Sequence, residues 1–448
     1  MSFQTGLSGL NASSRNLDVI GHNIANANTT GMKASRIEFA ELYASSLGAA
    51  GGSNAGIGVQ VATVSQLFTQ GNIKVTGNQL DLAINGSGFF QVKATDGSTL
   101  YSRNGEFKLD KDGYIITNNG ARLQGYATDE VGKRTSVVTQ DLKLPTGASI
   151  DPRATGTGPE PNGISITANL DARAEALGPL TITNPTTPAG PDALSADAKQ
   201  YGTALNVFDG QGNAIPVQLY FVKNAARADD PATTTVNEAV PANSWEVYAS
   251  LDGGRNVIGG ASLGRMVFDS SGKLASSSVN DLVIAATTPA TIPSATLTIP
   301  INLQDEAGRS TITQFGSKFG VFDLKQDGYS SGELTSIDIG ENGVILARYS
   351  NGVSKAEGQV ALGNFRNLQG LQPVNGGYWS ETFASGQVVL GGPQEGRLGL
   401  IRQSALEESN VDLTQELVNM IVAQRSYQAN AQTIKTQDQI QQTLVNLR

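Results

Sequence analysis

An amphipathic stretch stands at each end of this chain, and that pair constrains the fold more than anything between them. From Leu413 the apolar positions Leu417, Met420, Tyr427, Ala431, Ile434, Ile440, Leu444 and Leu447 recur mostly three or four apart. That spacing predicts one stripe of a long α-helix, and no Pro or Gly interrupts it. Two capping boxes are available to open it, Ser404 with Glu407 or Asp412 with Gln415. At the other end Phe3, Leu10, Leu17 and Ile24 fall seven apart, with Leu7 between the first two, giving a heptad stripe over residues 3–24. The run Asn23, Asn26, Asn28, Thr29, Thr30, Gly31 closes that helix, because Asn and Gly tolerate the left-handed conformation. Two such helices predict an antiparallel pair that brings the termini together, with the rest of the chain an excursion between them.

The remaining surface of the C-terminal helix carries amides (Gln415, Asn419, Gln424, Gln428, Asn430, Gln432, Gln437, Gln439, Gln441, Gln442) where a solvated helix carries Lys and Glu. Amides donate and accept at once, so this face packs on further helices, copies of itself included, without burying unpaired charge. Composition excludes several other roles. The chain has one histidine, His22, and no cysteine, which removes the usual zinc sites, a cysteine nucleophile and any multi-histidine centre. A triad on His22 would sit inside the N-terminal helix. A net charge of −9 argues against a nucleic-acid partner. No window holds the ~18 apolar residues needed for a membrane span, so no membrane insertion is expected. The start also lacks the basic region and apolar core of a cleaved signal peptide. Absence of Cys suits equally a protein that works outside the cell without disulfides.

Proline marks the internal boundaries. All 16 prolines lie between Pro145 and Pro393, 14 of them by Pro300. Residues 1–31 then read as the N-terminal helix of an inner helical domain, and 32–70 as an extended or partly helical connector. Residues 71–144 and 331–403 form the two halves of one β domain, 145–330 an inserted outer β domain, and 404–448 the C-terminal helix. The β reading rests on alternation, as in Leu80, Leu82 and Ile84 against Asp81, Ala83 and Asn85. It rests also on hairpin dipeptides at Asp96-Gly97, Asn104-Gly105, Asp112-Gly113, Asn119-Gly120 and Asn342-Gly343, which supply positive φ angles. The fold class is therefore mainly β with terminal α-helices that pair as a coiled-coil-like inner domain, followed by two antiparallel β domains.

Catalytic and metal motifs do not survive inspection. Asp110-Lys111-Asp112-Gly113 resembles the start of a calcium loop, but the twelfth position, where a bidentate Glu is required, is Ala121. Gly86 and Gly88 follow a strand, yet Phe89-Phe90 continue as β, so no dinucleotide turn is expected. No acid–base pair, cofactor or metal site is nominated, and the chain reads as a non-enzyme. Trp245, Tyr248 and Tyr220 are either core or an aromatic binding patch; alternation along strands favours core.

Three groups of residues then carry a specific resemblance. Asn23-Ile24-Ala25-Asn26-Ala27-Asn28-Thr29-Thr30-Gly31-Met32-Lys33 resembles the N-terminal signature of the rod and hook axial proteins of the bacterial flagellum. Ser409-Asn410-Val411-Asp412-Leu413, continuing through Tyr427-Gln428-Ala429-Asn430 to Ile434-Lys435-Thr436, is similar to the family's other signature. Leu82-Ala83-Ile84-Asn85-Gly86, Gly88-Phe89-Phe90, Arg103-Asn104-Gly105 and Leu123-Gln124-Gly125-Tyr126 resemble its first globular domain. The large central block and the opening residues 1–10 resemble the hook branch.

The resemblance implies a subunit that self-assembles into a flexible tubular joint passing torque from rod to filament. It implies export without a cleaved signal peptide by the flagellar type III apparatus. Implied partners are further copies, the distal rod, the hook cap and the hook–filament junction proteins. The self-assembly interface is expected at Phe3, Leu7, Leu10, Leu17, Ile24, Leu413, Leu417, Met420, Tyr427, Ile434, Ile440, Leu444 and Leu447, with an export contact at Phe39, Leu42 and Tyr43. Alternatives are a distal rod or hook-associated axial protein and, in another class, a secreted β-rich adhesin.

Overall fold

The computed structural model describes residues 2–43, 56–145, 149–159, 162–178, 180, 182, 192–226, 240–285, 295–305 and 307–446, with the side chains at 2, 3, 43, 56, 57 and 444–446 excepted. The chain divides into two units. The first comprises Met1–Gly147, Leu334–Arg348 and Ser354–Arg448; the second comprises Ala148–Glu333 and Tyr349–Val353.

In the first unit helix α1 spans Ser2–Ala25. The residues after it form a turn in which Gly31 takes φ +70 and lies so close to Arg103 that a Cβ would strike its backbone. The stretch read as a connector is in its described part an antiparallel hairpin of β1 (Ser35–Tyr43) and β2 (Gly56–Gln66). Its β-branched, alternating sequence at Val59, Val61 and Val64 accounts for the strand.

One large sheet follows, and it joins strands from both sides of the central block. Its order runs Leu334–Ile339, Val344–Tyr349, Ser354–Val360, Arg122–Thr128, Phe89–Lys93, Thr99–Ser102, Tyr378–Ser380, Gln372–Val374. Leu82, Ile84, Phe90, Val92, Phe107 and Leu123 meet Ile337, Ile345, Val360, Leu362 and Ile401 in a single core. Burying a side chain of this size contributes about 1.5–3 kcal/mol. Simple alternation understates one strand. Leu82–Asn85 buries Ala83 as fully as Leu82 and Ile84, because Leu400–Gln403 pairs along it and both faces are covered.

Most of the hairpin glycines take the positive φ their dipeptides predict: Gly97, Gly113, Gly120 and Gly343. Gly105 does not, and proximity is the reason for glycine there: a Cβ would overlap the Leu82 carbonyl oxygen, which sits opposite in the bridge between those segments. At the calcium-like motif the Asp110 carboxylate accepts from Asp112 N (2.8 Å) and Tyr114 N (3.0 Å), so it closes a turn.

In the second unit a five-stranded antiparallel sheet runs Gly202–Phe208, Ala214–Lys223, Ser244–Ser250, Gly264–Phe268, Leu274–Ser277. A smaller sheet is built on Ile164–Asp171. Ile164, Ile166 and Leu170 share a core with Val217, Leu219, Phe221, Trp245 and Met266. Trp245 and Tyr248 are buried, so they belong to packing and form no exposed aromatic patch.

Candidate self-assembly surface

The C-terminal helix α2 spans Leu413–Asn446, nine residues later than the first of the two possible caps. Asp412 is the cap: its Oδ1 accepts from Thr414 N (2.8 Å) and Gln415 N (3.1 Å), satisfying two of the first-turn amides. Ser404 instead sits at φ 56 in a turn, and Ala405–Glu407 is a strand paired with Ile73–Val75.

Helix α1 packs on α2 with opposite sense, Gly6 beside Ile434, then Gly9 and Ser13 beside Asn430. The two glycines permit that approach. A Cβ on Gly6 would lie 3.1 Å from Ile434 Cγ1, and one on Gly9 would lie 2.9 Å from Asn430 Oδ1. Asn430 Nδ2 donates to Ser13 Oγ (3.3 Å), and Ala12, Ile20 and Ala423 are buried.

One row that α2 turns inward is Glu416, Ala423, Asn430 and Gln437, seven residues apart and free of large apolar side chains, with Ile434 beside it against Gly6. Most of the larger apolar residues of its first three turns point elsewhere, Met420 being half-buried. Leu417 is 51% exposed, Val418 50%, Ile421 50% and Val422 58%, against 3% for Ala423. The expected interface residues therefore separate. Leu7, Leu413, Leu417, Tyr427 and Ile440 are exposed, while Leu10, Leu17, Ile24, Met420 and Ile434 are half-buried. The side chains of Phe3 and Leu444 and the whole of Leu447 lie outside the described residues. Val418, Ile421 and Val422 were absent from that set because a single-stripe reading follows one row; the seven-residue recurrence of 416, 423, 430 and 437 is the signal that places them outside. On β1, Phe39 is exposed and Leu42 half-buried, and the Tyr43 side chain lies outside the described residues.

A buried ionic clasp ties both helices to the β sheet. Glu407, fully buried, accepts from Lys33 Nζ (2.6 Å), Arg103 Nη1 (3.0 Å) and Gly71 N (2.9 Å). Lys33 Nζ also donates to Thr69 O (2.8 Å), Arg103 Nη2 to Gly86 O (2.8 Å), and Gly31 N to the Glu407 carbonyl (2.7 Å). Burial pulls the Lys33 ammonium below the ordinary lysine range, opposed by the Glu407 carboxylate, and burial likewise lowers Arg103. Two asparagines of the terminal signatures complete the joint. Asn23 accepts from Ser35 N (2.9 Å) and donates to Ser35 O (2.8 Å). Asn410 accepts from Ala34 N (2.7 Å) and donates to Leu67 O (2.7 Å). The signature residues thus act as backbone clips at the point where α1, the β1–β2 hairpin, the sheet and the approach to α2 converge.

Among the described residues no group of acidic or histidine side chains is placed to hold a metal, and no helix is long and apolar enough to cross a membrane.

Comparison with known proteins matches these parts in turn. Residues 3–33 match the family described as flagella basal body rod protein, and 83–169 the flagellar hook protein FlgE/F/G D1 domain. Residues 169–329 match the flagellar basal body protein FlaE D2 domain, and 402–447 the flagellar basal body rod FlgEFG protein C-terminal family. The flagellar hook protein FlgE of Escherichia coli (strain K12) is 37% identical over 454 residues, covering 100% of each chain. FlgE of Treponema pallidum (strain Nichols) is 32% identical over 492 residues, covering 100% of this chain and 99% of its own. The crystal structure of Helicobacter pylori flagellar hook protein FlgE2 shares the fold at TM-score 0.50 and 14% identity, over 75% of this chain and 100% of that one. With its ends, its first β domain and its central block all matched, and full-length relatives above 30% identity, the chain belongs to the flagellar hook protein family.

Proposed function

We propose that this chain is the structural subunit of the flagellar hook, and that its terminal helices pack from copy to copy into an inner tube with the β units outside it. The observation that carries this is helix α2, which meets α1 through Ile434, Asn430 and other small or polar residues while Leu413, Leu417, Val418, Ile421 and Val422 are left exposed. A helix left in that state exposes apolar surface that further copies would cover, at roughly 25 cal/mol per Å² removed from water. The interface on this reading comprises Leu7, Leu413, Leu417, Tyr427 and Ile440, with Phe3, Leu10, Leu17, Ile24, Met420, Ile434, Leu444 and Leu447 completing it. Val418, Ile421 and Val422 join them. The family supports contacts with the distal rod, the hook cap, the hook–filament junction proteins and the type III export apparatus. It supports a location outside the cell, reached without a cleaved signal peptide. Phe39, Leu42 and Tyr43 are the proposed export contact, for which the exposed Phe39 ring offers a handle.

The test exploits the absence of native cysteine. Val131→Cys, at an exposed hairpin tip, is labelled on intact cells with a membrane-impermeant maleimide dye. Short curved structures at flagellar bases are expected. Label only after envelope permeabilisation would move the protein to the rod, and diffuse surface label would favour an adhesin.

A further inference from the structure

We propose that Asn375-Gly376 is a site of spontaneous covalent modification, at which the folded chain converts asparagine to aspartate and isoaspartate. The reaction is imide formation within the chain followed by hydrolysis, with water as the co-reactant.

In the first step the Gly376 amide nitrogen bonds to Asn375 Cγ and the Cγ–Nδ2 bond breaks. Ammonia leaves with the proton of the Gly376 N–H, and a five-membered succinimide remains. Water then opens the ring. Attack at Cγ leaves aspartate. Attack at the Asn375 main-chain carbonyl leaves isoaspartate, whose backbone runs through Cβ and Cγ and is one carbon longer. Either product replaces a neutral amide with a carboxylate.

Glycine after asparagine favours the first step because no side chain shields the attacking nitrogen. The chain contains seven Asn-Gly pairs, so local sequence does not choose among them. What each pair holds does choose. The side chain must swing onto the next amide nitrogen, and every hydrogen bond on either group has to open first. Asn351 donates to Ser330 O (2.6 Å) and Gly352 N to Tyr349 O (3.0 Å). Asn342 accepts from Val344 N (3.2 Å) and Gly343 N donates to Gly340 O (2.8 Å). Gln70 holds both Asn85 and Gly86 N, at 3.4 and 3.1 Å. Asn104 accepts from Glu106 N (2.9 Å), and Asn162 donates to Gly156 O (3.1 Å). At Asn119 only the following amide is held, Gly120 N donating to Thr117 O (2.9 Å).

Asn375 is the exception. With Gly376 and Gly377 it forms the exposed turn between Gln372–Val374 and Tyr378–Ser380, the hairpin at one end of the large sheet. Among the described residues neither its carboxamide nor the Gly376 N–H has a hydrogen-bond partner. The turn itself fixes glycine at 376, where φ is +90 and a Cβ would overlap Asn119 Nδ2. The residue that the turn demands is thus the one that leaves Asn375 open to attack.

The test incubates the full-length folded protein in mildly alkaline buffer and follows all seven pairs by tryptic peptide mapping. Peptide 367–397 holds no other Asn-Gly pair, and fragment ions place the amide-to-acid mass gain within it. Conversion at 375 should outpace each of the other six by about tenfold, the factor expected when a hydrogen bond must open first. Both aspartate and isoaspartate forms should accumulate, and Asn119 should follow. In concentrated denaturant the seven should convert at comparable rates. Asn375→Gln, verified as folded by thermal unfolding, should abolish the gain in that peptide. Another pair converting ahead of 375, comparable rates at all seven in the folded chain, or a gain that persists in Asn375→Gln would each overturn the assignment.

Discussion

The sheet of the first unit and helix α2 treat apolar side chains in opposite ways. In the sheet Phe90, Val92, Leu123 and Val360 are shielded completely by strands drawn from both sides of the sequence. On α2, in the same unit, the leucines, isoleucine and valines of the first three turns stand exposed while Glu416, Ala423 and Asn430 face α1. The sheet is covered within one chain; on α2 the apolar side chains of the first three turns are left largely uncovered. On the proposed function the difference separates the part of the subunit that folds alone from the part finished by further copies, where ordering the ends at ~1–2 kcal/mol of backbone entropy per residue would be offset by burial against neighbours.

The contrast can be broken at several points. The largest effect is expected from Leu417→Asp with Ile421→Asp, which puts two carboxylates on the exposed ridge. Polymer yield should fall below detection by sedimentation, while monomer unfolding stays within about 0.5 kcal/mol of wild type, as for surface positions. A monomer that unfolds early would mean the ridge is covered within the chain.

Next comes Glu407→Gln, which leaves Lys33 and Arg103 buried without their counter-charge and should cost about 3–5 kcal/mol in denaturant unfolding of the first unit. An unchanged midpoint would show that the clasp is dispensable. Gly9→Leu should follow: the side chain enters the space Asn430 occupies, separates α1 from α2 and costs about 1–3 kcal/mol, read as faster proteolysis of the helices with the β units intact.

The smallest effect is on pH. Burial raises the phenols of Tyr101 and Tyr248 above their ordinary value of 10.0, helped at Tyr248 by Glu246. A raised folded-state value means the stabilisation is whole below pH 10.0 and is lost as pH climbs past it, because only the unfolded chain ionises there. Both phenolate signals should therefore lag in an alkaline titration and appear with unfolding; normal titration in the folded protein would contradict their burial.

What the sequence made legible follows the same division. The hairpin glycines at 97, 113, 120 and 343 rest on local rules, and the turns stand where those rules put them; the alternation around Ile84 gave a strand, though not the burial of Ala83. The flagellar resemblance likewise rests on residues now seen as backbone clips, Asn23 and Asn410. Long-range partners were the illegible part. Nothing local in Lys33, Arg103 or Glu407 foretells that three charges separated by up to 374 residues meet in one buried site. Ala83 and Gly105 are set by Leu400–Gln403 and by the Leu82 carbonyl, both remote in sequence. On α2 the hydrophobic stripe was visible, but not that it divides: Ile434 turns to Gly6 of α1 while Leu413, Leu417, Tyr427 and Ile440 stay exposed, against the usual rule that apolar faces turn toward the chain's own core. Asp412, rather than Ser404, starts the helix because Ala405–Glu407 is already committed to pairing with Ile73–Val75.

The most direct test of that reversal is amide hydrogen exchange over residues 413–443 in monomer and in polymer, with the amides of Phe89–Lys93 as internal reference. The expected result is a slowing of roughly a hundredfold or more on α2 upon assembly, about 2.7 kcal/mol or above, with the reference strand equally slow in both states. Equal protection of α2 in monomer and polymer would contradict it, and would mean that the helix is finished within a single chain.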